Sequence, residues 1–109
     1  MARGSKFRIV LVTCSSPAEA RKIARTVVEK RLAACANMIG GAVESIYWWK
    51  GKVETGRERL LMMKTSAGRV KELEEEVRRL HSYEVPECVA IAVTDGSAAY
   101  LKWMEESML

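Results

Sequence analysis

The chain has 109 residues, 49% hydrophobic and 29% charged, a balance that fits one globular domain over 1–109 and excludes a disordered linker. No apolar run approaches the roughly 20 residues of a membrane helix, and Met1-Ala2-Arg3-Gly4-Ser5-Lys6 has no secretory apolar stretch behind it, so a cytoplasmic protein with no membrane insertion is expected. The net charge of +4 is spread among alternating Lys, Arg and Glu, which argues against the clustered basic stripe of a nucleic-acid binder.

Phe7 to Thr13 is β-branched and largely apolar, and predicts a first strand. Ser16-Pro17-Ala18-Glu19 reads as a capping box with Pro at the first helical position. Ala20, Ile23, Ala24, Val27 and Val28 then form one apolar face of a helix over 17–31. A second strand over 33–39 is interrupted by Gly40-Gly41, read as a bulge or bend, and resumes through Val43 to Trp49. Lys50-Gly51 is a two-residue hairpin loop, and the return strand runs from Val53 to Thr65. Val70, Leu73, Val77 and Leu80 mark a second helix over 67–80. A polar loop over 81–87 leads to an apolar strand over 88–93, then a turn at Asp95-Gly96-Ser97 and a last helix.

The order β-α-β-β-α-β with an appended helix predicts an α+β fold: one antiparallel sheet with two helices on one face, in the ferredoxin-like arrangement. The return strand would span roughly 40 Å, longer than the about 34 Å diameter of a compact domain of this size. The hairpin should therefore project as an arm tipped by Tyr47, Trp48 and Trp49. Either it pairs with other copies of the chain or the glycines bend it back over the domain. The last sheet strand is apolar on both faces, which also calls for a cover from outside.

Catalytic patterns are sparse. There is one histidine, His81, and no nucleophile elbow or glycine-rich phosphate loop, so an enzyme is not expected. Three cysteines without a C-x-x-C pair disfavour a disulfide framework and a zinc ribbon. The predicted topology brings Cys14 and His81 to one end of the sheet, with Cys88, Glu84 and the Trp48-Trp49 tip near that end and Cys35 at the other. Cys14 precedes a helix N-terminus, where the dipole would stabilise a thiolate. Thiolate and imidazole suit copper and other borderline cations.

Five separated segments then carry a family resemblance: Thr13–Pro17, Arg31–Asn37, Ser45–Lys52, His81–Glu87 and Tyr100–Trp103. Over about residues 8–107 the sequence resembles the CutA family of divalent-cation tolerance proteins. The resemblance implies a ferredoxin-like subunit, a long hairpin arm and a homotrimer similar in build to the PII signalling proteins. It also implies association with Cu2+ or another divalent cation through Cys14 and His81. A further family ligand position holds Leu80 here, and Gly40 and Ser82 stand where Pro is frequent. Two readings remain: a trimeric metal-binding protein, or a PII-like signalling or assembly module. The second would take a small anionic ligand or a partner protein in intersubunit clefts lined by Lys64, Tyr83, Glu84, Trp48 and Trp49.

Overall fold

A computed structural model of the chain describes residues 2–3 and 6–109. Met1, Gly4 and Ser5, part of the segment read as lacking a leader, lie outside them. The elements are β1 (Ala2–Arg3), β2 (Phe7–Cys14), α1 (Pro17–Glu29), β3 (Cys35–Met38), β4 (Val43–Trp49), β5 (Lys52–Ser66), α2 (Val70–Leu80), β6 (Val89–Ala92), β7 (Asp95–Gly96) and α3 (Ala98–Ser107), with a 3-10 turn at Ala67–Arg69. The main sheet has the order β3-β5-β2-β6, with β4 also on β5, and every pairing is antiparallel.

Strand alternation divides the sheet's two faces. Val10, Val12 and Cys14 of β2 and Leu61 and Met63 of β5 point to one side. There they meet Ala20, Ile23 and Val27 of α1 and Leu73 and Val77 of α2 in a buried core. Thr65, also buried in this row, gives its hydroxyl to the Leu32 carbonyl at 2.6 Å, so the core holds no unpaired hydroxyl there. On the other face, Ile9, Leu11, Leu60 and Met62 are half-buried and Val89 and Ile91 are exposed. α3 builds a second small cluster at one end of the sheet, where Leu101, Met104 and Met108 pack on Phe7 and Ala34.

β5 extends far beyond the helix-covered core. Its Lys52–Glu58 half pairs only with β4 and forms the expected arm. The molecule measures 44 × 25 × 25 Å with a radius of gyration of 14.5 Å, above the about 13 Å of a compact domain this long. Ile46 is 66% exposed and Trp48 74%. At the tip, Lys50 (φ 49°) and Gly51 (φ 80°) both take positive φ, as a type I′ turn requires. Between β3 and β4 the chain advances five residues, Met38 to Val43, while β5 advances three, Leu61 to Glu58. Two extra residues are therefore accommodated around Gly40-Gly41, with Gly41 at φ 80°, which is the expected bulge.

Local differences have plain causes. α1 stops at Glu29, because Arg31 adopts φ 58° and takes the left-handed position that glycine usually fills after a helix. Its guanidinium reaches the Ser107 carbonyl at 2.8 Å. Asp95-Gly96, read as a turn, pairs with Ala2-Arg3 as a two-residue ribbon, a long-range contact without local signature. Ile23→Ala, which opens a cavity in the fully buried centre of α1, should cost about 2–5 kcal/mol, measured by urea unfolding. Gly51→Ala should cost about 1 kcal/mol, through the turn alone.

Candidate functional site

Ser16 caps α1 by accepting the Glu19 N–H at 3.1 Å. The Glu19 carboxylate does not return to the Ser16 N–H as a capping box would have it. One oxygen accepts from the Ser15 N–H (3.2 Å) and hydroxyl (3.3 Å), and the other accepts from the Ser82 N–H at 3.0 Å. It thus ties the start of α1 to the loop after α2. Burial works against the ionised carboxyl, but the hydrogen bonds from Ser82 and Ser15 outweigh it and hold Glu19 below its ordinary range.

His81 caps α2 and turns its side chain inward. Its Nε2 lies 2.7 Å from the Thr13 carbonyl, which can only accept, so Nε2 carries a proton. Nδ1 accepts the Tyr83 N–H at 3.1 Å. These partners select the neutral tautomer protonated on Nε2. Nδ1 also lies 3.6 Å from Glu19 Oε1. The ring packs against Tyr83 with centroids 4.6 Å apart.

The ligand atoms of Cys14, Glu19 and His81 all lie within 4.8 Å of one another. Sequence reasoning brought Cys14 and His81 to one end of the sheet. It missed Glu19 as a third member, because that residue was read as a helix cap. The expectation of a dipole-stabilised Cys14 thiolate is corrected: the side chain is fully buried, and burial, followed by the charges of Glu19 and Glu58, pushes the thiol up to about 12. Removal from water outweighs the helix dipole here. Cys88 packs against the core, and burial with Glu74 and Glu87 raises it to about 11. Cys35 sits at the far end of the sheet, 3.6 Å from the Tyr100 hydroxyl.

Beside this cluster lies a cavity of about 610 Å³, lined by Thr13, Ser45 to Trp49 of β4, Glu58, Tyr83, Glu84, Val85 and Glu87. It gathers Trp48, Trp49, Tyr83 and Glu84. Lys64 is not among them: it bonds the Tyr100 hydroxyl at 3.2 Å and pairs opposite Ile9 and Cys35. Glu58, which sequence reasoning missed, is only 8% exposed and accepts the Tyr83 hydroxyl at 2.9 Å. Burial and this carboxylate push the Tyr83 hydroxyl up. With Glu58, Glu84 and Glu87 in the lining and no basic side chain, the cavity of one chain is acidic.

Two outcomes follow. With iodoacetamide at about pH 8, Cys35 should be alkylated first, and Cys14, buried and with its thiolate disfavoured, should resist until denaturant is added; peptide mass spectrometry reads the order. Glu19, whose carboxyl is depressed on folding, adds stability that is full above its unfolded value of 4.5 and is lost as pH falls through the folded value. Glu19→Gln should therefore flatten the fall in urea midpoint between about pH 5 and 3.

Residues 8–107 match the family described as CutA1 divalent ion tolerance protein. Mouse Protein CutA is 50% identical over 95 residues, covering 87% of this chain and 53% of that protein. The chain likewise spans about half the length of the human and rice relatives. The Thermus thermophilus divalent-cation tolerance protein CutA is 44% identical, over 91% of this chain and 95% of that protein. The structure of the periplasmic divalent cation tolerance protein CutA from Archaeoglobus fulgidus superposes with a TM-score of 0.91 at 34% identity, covering 94% of this chain and 99% of that one. The mixed fold, an antiparallel sheet with three helices, is that of these CutA structures, and the family's description names tolerance of divalent ions and no reaction. The chain belongs to the CutA1 divalent ion tolerance family.

Proposed function

We propose that this chain is a non-catalytic subunit of a cytoplasmic homotrimer that binds Cu2+ or another divalent cation through Cys14, His81 and Glu19. The observation that carries the reading is the convergence of sulfur, imidazole and carboxylate donors within 4.8 Å. Such a mixed set suits borderline and soft cations. The donors are not idle: both His81 nitrogens and both Glu19 oxygens are hydrogen-bonded, and the Cys14 thiol holds its proton. A cation must displace these bonds and release a proton, so the cluster suits a transient load better than a permanent cofactor.

Strand order β3-β5-β2-β6 with two helices on one face supports the ferredoxin-like description. Assembly is supported by the apolar face bearing Val89 and Ile91 and by the arm bearing Ile46, Trp48 and Val53, all more than 45% exposed. Apolar surfaces of this kind are uncommon on a stable monomer, and closed symmetry would cover them in every copy. Among the described residues no helix is long and apolar enough to cross a membrane.

Calorimetric titration with Cu2+, with Zn2+ as a redox-inert comparison, tests the cation site. Cys14→Ala and His81→Ala should each weaken binding at least about tenfold. Affinity should rise about tenfold per unit between about pH 6 and 8, because one thiol proton leaves. A folded double variant that binds as the parent does would refute the site. Light scattering should return three times the 12.2 kDa chain mass, and Ile46→Asp should lower it.

A further inference from the structure

The cavity beneath the arm holds chemistry that the cation cluster does not use. Glu58 is buried to more than nine-tenths, and none of the ion pairs among the described residues includes it. Its one hydrogen-bond partner among them is the Tyr83 hydroxyl, on Oε2. Its chain neighbours Arg57 and Arg59 cannot neutralise it, since strand alternation sends them to the opposite face. A buried carboxylate without a cation is costly, and this one opens onto a cavity.

The walls of that cavity are aromatic. Cross-strand pairing puts Val43 opposite Glu58, Ser45 opposite Gly56 and Tyr47 opposite Glu54, so Tyr47 and Trp49 share the Glu58 face of the arm. Tyr83 closes the opposite side, and Glu84 and Glu87 add negative charge to the lining. Ring faces attract a weakly hydrated cation and give no lone pair to a metal. The arm already shows this contact: the Lys50 ammonium sits 5.5 Å from the Trp49 ring centroid. A volume of about 610 Å³ accommodates a small organic molecule.

We propose that this cavity is a binding site for a small organic ammonium ion, with Glu58 as its charge partner and Tyr47, Trp49 and Tyr83 as its aromatic walls. It is distinct from the Cys14–Glu19–His81 cluster, which would take a metal. The carboxylate neutralises the ligand, the rings desolvate it, and the Tyr83 hydroxyl keeps the carboxylate turned into the cavity.

The test uses the full chain, choline and tetramethylammonium as probes, and tryptophan fluorescence with calorimetry as readouts. Both ammonium ions should bind saturably in the millimolar range. The uncharged isostere of choline, with a tert-butyl group in place of trimethylammonium, should bind at least about tenfold more weakly. Glu58→Gln keeps the shape and the acceptor for Tyr83, and should lose a similar factor with an unchanged circular dichroism spectrum. Tyr47→Leu, away from the buried carboxylate, should weaken binding by calorimetry. Cys14→Ala should leave choline binding intact whatever it does to copper, so the two sites succeed or fail separately. Equal binding of the isostere, undiminished choline binding by Glu58→Gln, or no saturable binding would each overturn the proposal.

Discussion

β5 is the constraint on which the rest of the molecule hangs. It is 15 residues long and pairs with β2 along Arg59–Ser66, with β3 along Leu61–Lys64 and with β4 along Lys52–Glu58. Its inner half, through Leu61, Met63 and Thr65, forms the floor of the helix-covered core. Its outer half leaves the core and carries the arm. Glu58 stands at the changeover, where the neighbouring strand passes from β3 to β4 across the glycine bulge. A shorter β5 would keep the core and lose both the arm and the cavity beneath it.

The same end of the sheet gathers two polar systems with different logic. The Cys14–Glu19–His81 cluster is closed: its carboxylate and imidazole are hydrogen-bonded to Ser15, Ser82 and the backbone of Thr13 and Tyr83, and burial makes the Cys14 thiolate costly. The cavity is open, lined by aromatic rings and by the Glu58 carboxylate, which makes no ion pair among the described residues. They meet at two residues. Tyr83 stacks on His81, gives it an N–H and bonds Glu58, while Thr13 offers its carbonyl to His81 and lines the cavity. Movement of the 81–87 loop would therefore reach both at once.

Family membership and geometry contribute different things. Similarity along residues 8–107 identifies the chain's kin, a family described by divalent ion tolerance. The hydrogen bonds show which contacts the His81 and Glu19 side chains already make. A thiol must lose its proton to ligate a cation, and burial raises the cost of that loss at Cys14.

Much of the fold is legible in the sequence because it rests on local rules. Alternation marks the strands, the Ala20, Ile23 and Val27 stripe marks α1, Ser16 marks its start, and Lys50-Gly51 marks the hairpin. Reach could be read as well, since the length of the return strand exceeds any compact core. The ends of the strands followed from topology, which brought Cys14 near His81. What the tertiary structure alone decided is the state of each polar group. Glu19 became a bridge between α1 and the loop after α2, the Cys14 thiol a buried neutral group, and Glu58 a buried acid facing aromatic rings, while Lys64 went to Tyr100. A charge takes its meaning from the dielectric and partners around it, and in a folded chain these come from residues distant in sequence.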